Sequence, residues 1–329
     1  MKERIKNSII INAIILYLGY TYFIFFKKTP RYSYMSLINL YCLTNGRFLN
    51  FFNKNFLDKS MIALYPKSNS FKNSSKEDYK KINKNLIQLG YHKLEEKLNS
   101  KRLDQILEIS KSLKPETTLG DLYFDEKNII SKAYKYNSNQ LINNKLIQEL
   151  IMDPFLINVA RNYLKCEPIF DFVSMWWSTD FKSKEDVAQE FHFDLDRPKW
   201  IKIFIYINDV TKLNGPHCYI EKSHLKDSKP KELLNRRYVR ISDNDINNYY
   251  DKNQIKEITG QAGTIIFGDT LCWHKGKPIE KGSRLILQFE YTNSLFGINI
   301  PKFEVKKDFV DFKNFCSQNK RFSKNIKFK

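Results

Sequence analysis

The chain has 329 residues, of which 42% are hydrophobic and 15% aromatic, enough apolar material for a packed core, which excludes a disordered protein. A formal net charge of +19 raises nucleic acid as a partner, but the basic residues are spread among Asn, Ile, Phe and Tyr with no helix-turn-helix, zinc-finger or RNP pattern, so no nucleic acid is expected. The five cysteines, Cys42, Cys166, Cys218, Cys272 and Cys316, are odd in number and form no Cys-x-x-Cys pair, which argues for reduced thiols and against a disulfide framework or a zinc site.

Residues 8–26 carry no charge and are flanked by Lys2, Arg4 and Lys6 on one side and Lys27, Lys28 and Arg31 on the other. As a helix this segment is long enough to cross roughly 30 Å of hydrocarbon. A single-helix membrane anchor is the leading reading. The alternative is an apolar element docked on the domain of a soluble cytoplasmic protein, which Asn12 and the tyrosines allow. No small-x-small cleavage site follows, which disfavours a signal peptide. With Arg47 counted, the downstream side is slightly richer in positive charge, leaning the main domain toward the cytoplasm.

Residues 32–67 are aromatic and Asn-rich without clean periodicity and read as an irregular collar. Ser75 is a candidate N-cap for a helix with Tyr79, Ile82, Leu86 and Leu89 on one face, ending at Gly90. A short strand is predicted over 91–94, and Ser100 is the expected cap of a second helix carrying Leu103, Ile106, Leu107 and Ile109. Residues 120–135 read as loop, and 143–164 as a helical hairpin broken at Asp153-Pro154. The pattern then changes to short β-rich runs over 169–178, 187–194, 200–206, 218–221, 263–268 and 284–291, separated by turn residues. Helices followed by many short strands predict an α+β chain: a double-stranded β-helix (jelly roll) core flanked by helices, with an N-terminal hydrophobic helix. The basic tail from Lys302 is expected to form a short peripheral helix and a loose end.

The chemistry concentrates in Gln189-Glu-Phe-His192-Phe-Asp194. In an extended strand His192 and Asp194 face one way and Phe193 packs behind them, giving two ligands for one ion. A histidine from a distant strand would complete the two-imidazole, one-carboxylate arrangement that leaves positions open on non-haem Fe(II). His274 is the candidate, at a strand end ahead of Arg284. An arginine among Leu285, Leu287 and Phe289 is costly unless an anion pairs with it, so either a bound carboxylate or an Asp or Glu mate is expected. His217 and His224 compete as ligands but lack that pairing with a downstream arginine.

These residues resemble the phytanoyl-CoA dioxygenase-like branch of the Fe(II)/2-oxoglutarate oxygenases. The resemblance runs from the helix beginning near Ile82 to Tyr291 and rests on the His192-Phe-Asp194 motif, the strand Ile201-Lys-Ile-Phe-Ile-Tyr, the Gly215-Pro216 turn leading to Ser223-His224, and His274 with Arg284. It implies that His192, Asp194 and His274 hold the iron and that Arg284 binds the far carboxylate of 2-oxoglutarate. With O2, such an enzyme hydroxylates a small-molecule, lipid or glycan-type substrate and releases succinate and CO2. Gln189, Asp196, Lys202 and His224 are further pocket candidates, with a loop-capping role favoured for Asp196 and a structural one for His224. The chain departs from the family at Glu221-Lys222-Ser223-His224, where Pro-Gly-Ser-His is more usual. The implied organisation is a hydrophobic segment 1–31, the collar 32–73, a dioxygenase domain 74–298 and a basic tail 299–329. The competing function is a catalytically silent, membrane-anchored jelly-roll binding protein.

Overall fold

The computed structural model describes residues 7–57, 68, 70–71, 76–182 and 189–329. Its organisation follows from strand β6 (Trp200–Tyr206), in which every side chain is buried but on two different faces. Ile201, Ile203 and Ile205 join a core built with the helices, while Phe204 and Tyr206 face a second sheet. Strand β11 (Ser283–Thr292) divides in the same way, with Leu285, Leu287, Phe289 and Tyr291 on the helix side. Burial on both faces explains why these strands read as near-continuous apolar runs.

The main sheet has eight strands in the order β1-β9-β6-β11-β5-β4-β2-β3, formed by β1 (Tyr91–Lys93), β2 (Glu116–Thr117), β3 (Gly120–Asp121), β4 (Ala133–Lys135), β5 (Ile169–Thr179) and β9 (Ile265–Gly268) with β6 and β11. A three-stranded sheet, β10-β7-β8, comprises β7 (His217–Ile220), β8 (Ile255–Ile258) and β10 (His274–Gly276). Pairing within both sheets is antiparallel. Phe204, Tyr206, Ile266 and Ile286 from the large sheet share one apolar cluster with Tyr219 and Ile258 from the small one, so the sheets pack face to face.

Four helices back the large sheet: α4 (Lys76–Gln88), α5 (Ser100–Ser112), α7 (Lys145–Ile151) and α8 (Pro154–Leu164). The break between α7 and α8 is where the sequence places it, because Asp153 caps α8 by accepting from the amides of Phe155 and Leu156. Asn99, one residue before the expected Ser100, caps α5 by accepting from Arg102 N. The expected Ser75 cap lies outside the described residues.

Three expectations are corrected. Residues 32–57 are not an irregular collar but two helices, α2 (Arg31–Thr44) and α3 (Arg47–Phe56). They follow the N-terminal helix α1 (Ile9–Phe26), and α2 is packed on α1 by one side and on the domain by the other, so its apolar residues form no single stripe. The 116–135 stretch supplies three short edge strands as well as loop. The tail carries α11 (Val310–Gln318) between β12 (Phe303–Val305) and β13 (Ile326–Phe328), and it ends in a parallel β12–β13 pair with Phe312, Phe322 and Ile326 buried, where a loose end was predicted. Three shorter helices, α6 (Ser138–Ile142), α9 (Lys231–Asn235) and α10 (Asp243–Asn247), connect larger elements.

Helix α1 is both docked and apolar on its outer face. Asn12, Leu16 and Gly19 are buried against α2, and a Cβ at Gly19 would lie 1.6 Å from Ser33 Oγ, so glycine is what permits the close approach. Asn12 Oδ1 accepts from Asn39 Nδ2, and Ser33 Oγ donates to the Ile15 carbonyl.

Candidate metal centre

His192 and Asp194 lie on a segment with no continuous ladder. The strand predicted over 187–194 begins outside the described residues, and from Phe191 onward the chain makes only single bridges, Phe191 to Ile241 and His192 to His274. Each residue pairs with a different neighbour, so no run of consecutive pairs develops. The backbones of His192 and His274 exchange both hydrogen bonds, at 3.0 and 2.8 Å, which sets the two imidazoles side by side with ring centroids 4.4 Å apart. Behind them Phe193 packs edge-on against Trp273 and touches Tyr41 of α2, both at 5.1 Å.

One ligand-type atom from each of His192, Asp194 and His274 lies within 4.8 Å of the others. His192 Nε2 is 3.8 Å from Asp194 Oδ1, and His274 Nε2 is 3.5 Å from Oδ2. Each ring presents Nδ1 to a carbonyl two residues back: His192 to Glu190 at 3.1 Å and His274 to Cys272 at 3.0 Å. A proton held on Nδ1 by a carbonyl leaves Nε2 as a lone-pair donor toward the shared centre. Burial, then the neighbouring His274, push His192 down to about 4, so this ring is neutral at ordinary pH. Two imidazoles with Nε2 turned to the centre and a carboxylate form a donor set that fits a divalent first-row metal with positions left open.

Asp194 is tied on its far side. Lys202 Nζ donates to Asp194 Oδ2 at 2.7 Å and lies 3.5 Å from Glu290 and 3.8 Å from Asp196. Burial works to raise the Asp194 carboxyl, but Lys202 and the two histidines outweigh it and hold it well below the usual carboxylate range. Lys202 reaches this position because its strand alternation turns it away from the isoleucine face of β6.

The same cavity, about 910 Å³, contains Arg284. This guanidinium is 4% exposed, yet its Nε and Nη1 have no partner among the described residues, and Nη2 reaches only Ser178 Oγ at 3.5 Å. It rests where a Cβ on Gly276 would crowd its Nη2 at 3.1 Å. Arg197 shows the contrast: it is equally buried but forks onto Asp171 at 2.6 and 2.8 Å and donates to the Leu295 carbonyl at 2.9 Å. Arg197 is satisfied internally, whereas Arg284 has donors available for an anion in the cavity.

Gln189 and Lys202 line the cavity, whereas Asp196 and His224 are absent from its lining. His224 faces the Ile87 carbonyl through Nε2 and the Cys272 thiol through Nδ1, beneath Gly90, and so braces a turn. His217 is a cavity residue that the ligand pattern passes over. Its ring lies 4.3 Å from Phe204, and its Nδ1 is buried without a partner among the described residues. Burial and then the Arg284 charge hold it well below its usual range and therefore neutral. Trp176, Ser178, Lys132 and Glu116 also line the cavity, and no motif marks them in the sequence because topology alone brings β4, β5 and the 116–118 turn to its rim.

Residues 104–284 match the family described as Phytanoyl-CoA dioxygenase (PhyH). None of the curated proteins matches the chain. Among solved structures, EctD from S. alaskensis in its apoform is 17% identical with a TM-score of 0.50, over 75% of this chain and 89% of its own. HygX from Streptomyces hygroscopicus with nickel and 2-oxoglutarate bound is 14% identical with a TM-score of 0.49, over 71% and 91%. The non-heme alpha ketoglutarate dependent epimerase SnoN from nogalamycin biosynthesis is 12% identical with a TM-score of 0.49, over 66% and 84%.

Proposed function

The chain belongs to the phytanoyl-CoA dioxygenase family of Fe(II)/2-oxoglutarate-dependent oxygenases, and from that premise we propose that it is a hydroxylase whose iron is held by His192, Asp194 and His274 on a double-stranded β-helix. The observation that carries the reading is the convergence of this triad and the unpartnered Arg284 on one cavity. The two facing antiparallel sheets support the β-helix, and the carboxylate of Asp194 supports hydroxylation, since related halogenases give that position to halide.

Fe(II) bound with 2-oxoglutarate supplies the oxidising chemistry, consuming O2 and yielding succinate and CO2 with the hydroxylated product. The protein's contribution is ligation, placement and exclusion of water. His192 and His274 offer Nε2, each oriented by its carbonyl partner, and Asp194 offers a carboxylate steadied by Lys202. Arg284 would fork onto the far carboxylate of 2-oxoglutarate, and the neutral His217, which lines the same cavity, would offer a further hydrogen bond to the co-substrate. Phe204, its ring 4.3 Å from His217, adds an apolar surface to that part of the lining.

The remaining wall is mixed, with the polar Glu116, Thr117, Lys132, Lys135 and Gln189 beside the aromatic Trp176 and Phe181. This lining supports a small-molecule or glycan-type substrate with polar groups that can hydrogen-bond to these side chains. We also infer that the enzyme is membrane-associated through α1, which is long and apolar enough for a bilayer, with the catalytic domain on the cytoplasmic side. Purified protein supplied with Fe(II) and O2 is expected to turn 2-oxoglutarate into succinate, and Asp194→Ala is expected to abolish this while circular dichroism stays unchanged. Succinate formation undiminished in the folded variant refutes the assignment.

A further inference from the structure

Helix α1 carries a second piece of information beyond its hydropathy, namely how it is attached. It runs against α2 along its length, through Asn12–Asn39, Ile15–Ser33 and the Gly19–Ser33 close approach. Near its C-terminal end Tyr20 and Phe23 pack on Phe296 at 5.4 and 5.5 Å, and Thr29 is held by Gly297 and Asn299. On its other side α2 buries Leu37, Leu40 and Tyr41 in the cluster that contains Phe193 and Trp273. The axis of α1, about 27 Å long at 1.5 Å per residue, therefore lies along the wall of the catalytic domain. A helix held this way cannot stand across a bilayer unless α2 and the domain behind it enter hydrocarbon, where their polar groups would lose water.

The outward arc of α1 is nonetheless apolar from end to end. Ile10, Ile14, Tyr17, Leu18 and Phe25 are 54–74% exposed. The patch continues onto α3, whose Phe56 touches Tyr20 with ring centroids 6.3 Å apart and whose exposed Phe51 lies 6.0 Å from Phe56. The segment that carries this surface has charge of one sign, since residues 7–57 contain no Asp or Glu while Lys27, Lys28, Arg31 and Lys54 are exposed; Asp227 pairs with Arg47 at the start of α3.

We propose that α1 lies in the plane of one leaflet of an anionic membrane, its Ile10–Ile14–Leu18–Phe25 face inserted at the headgroup boundary and the neighbouring lysines and Arg31 on the lipid phosphates. This deepens and rests on the membrane association inferred above, and replaces a crossing helix by an interfacial one. In-plane insertion uses the whole apolar arc while leaving the α1–α2 contacts intact, and it adds basic residues where anionic lipid attracts them. Because α2 also packs behind Phe193, the docked helix fixes the domain's orientation to the membrane.

The test uses the full chain with phosphatidylcholine vesicles, with and without phosphatidylglycerol. Co-sedimentation is expected with the anionic vesicles, weakened about tenfold or more by the double substitution Ile14→Asp and Leu18→Asp, with succinate formation in solution unchanged. Single cysteines placed by Asn7→Cys and Lys28→Cys, at the two ends of α1, are read with a membrane-impermeant maleimide added outside vesicles carrying bound protein; the native thiols are all buried. Labelling of both positions supports the in-plane helix. Labelling of one and protection of the other overturns it while leaving membrane association standing. Absence of sedimentation with either vesicle overturns the membrane association itself, as does concentration-dependent dimerisation that the Asp pair abolishes without vesicle binding. Undiminished binding of the Asp pair also refutes the inserted face.

Discussion

Replacing Arg284 by methionine separates an anion-binding arginine from a structural one, because the two roles predict opposite signs for stability. Among the described residues two of its guanidinium nitrogens are buried without partners, and the third reaches Ser178 at 3.5 Å. A buried unsatisfied donor costs about 1–3 kcal/mol, and the methionine side chain needs no hydrogen bond. Without 2-oxoglutarate, Arg284→Met is therefore expected to hold or raise the melting temperature, by roughly 2–4 °C per kcal/mol gained for a domain of this size. Binding should change the other way. Truncating one partner of a buried charge pair costs about 2–5 kcal/mol, which at 1.4 kcal/mol per decade is a roughly thirty- to four-thousandfold loss of 2-oxoglutarate affinity. Anaerobic calorimetric titration of 2-oxoglutarate into Fe(II)-loaded protein gives the affinity, and thermal unfolding without co-substrate gives the stability. An affinity within about threefold of wild type, or a variant that melts several degrees lower, refutes the assignment.

Lys202→Met leaves Asp194, Asp196 and Glu290 without their shared cation, and is expected to destabilise the metal-free protein by about 3–5 kcal/mol. Added Fe(II) should recover part of that loss in thermal unfolding, because the metal restores a positive charge beside Asp194; equal deficits with and without Fe(II) refute the coupling. Lys229 lies under the rings of Tyr41, Phe193 and Trp273, and burial pushes its ammonium down to about 8. Its pKa in the unfolded chain is about 10.4. Between those values the unfolded state binds more protons than the folded one, so the Lys229 contribution to stability rises as pH rises from about 8 to about 10, and below about 8 the penalty is constant. Denaturant unfolding at both ends of that window should show wild type gaining on Lys229→Met, and a constant gap between them counts against the buried charge.

The sequence by itself determined the elements whose causes are local. Period-two alternation sets His192 and Asp194 on one side of Phe193, Asp153-Pro154 breaks the α7–α8 hairpin, and β-branched runs mark β5, β6, β9 and β11 within a residue or two. Interactions with distant segments account for what the sequence left open. Helix α2 is hidden from the sequence pattern because burial on two sides erases an amphipathic stripe, and the tail strands depend on each other across α11. The placement of His274 within reach of Asp194 rests on a backbone bridge between segments some eighty residues apart. Whether Arg284 has a carboxylate mate, and that Lys202 bonds to Asp194, are decided by which strand faces meet across the cavity. Apolar length alone suggests that α1 crosses a bilayer. Its lengthwise seat on α2 argues otherwise, because hydropathy counts side chains one at a time while packing fixes the direction in which the whole helix can point.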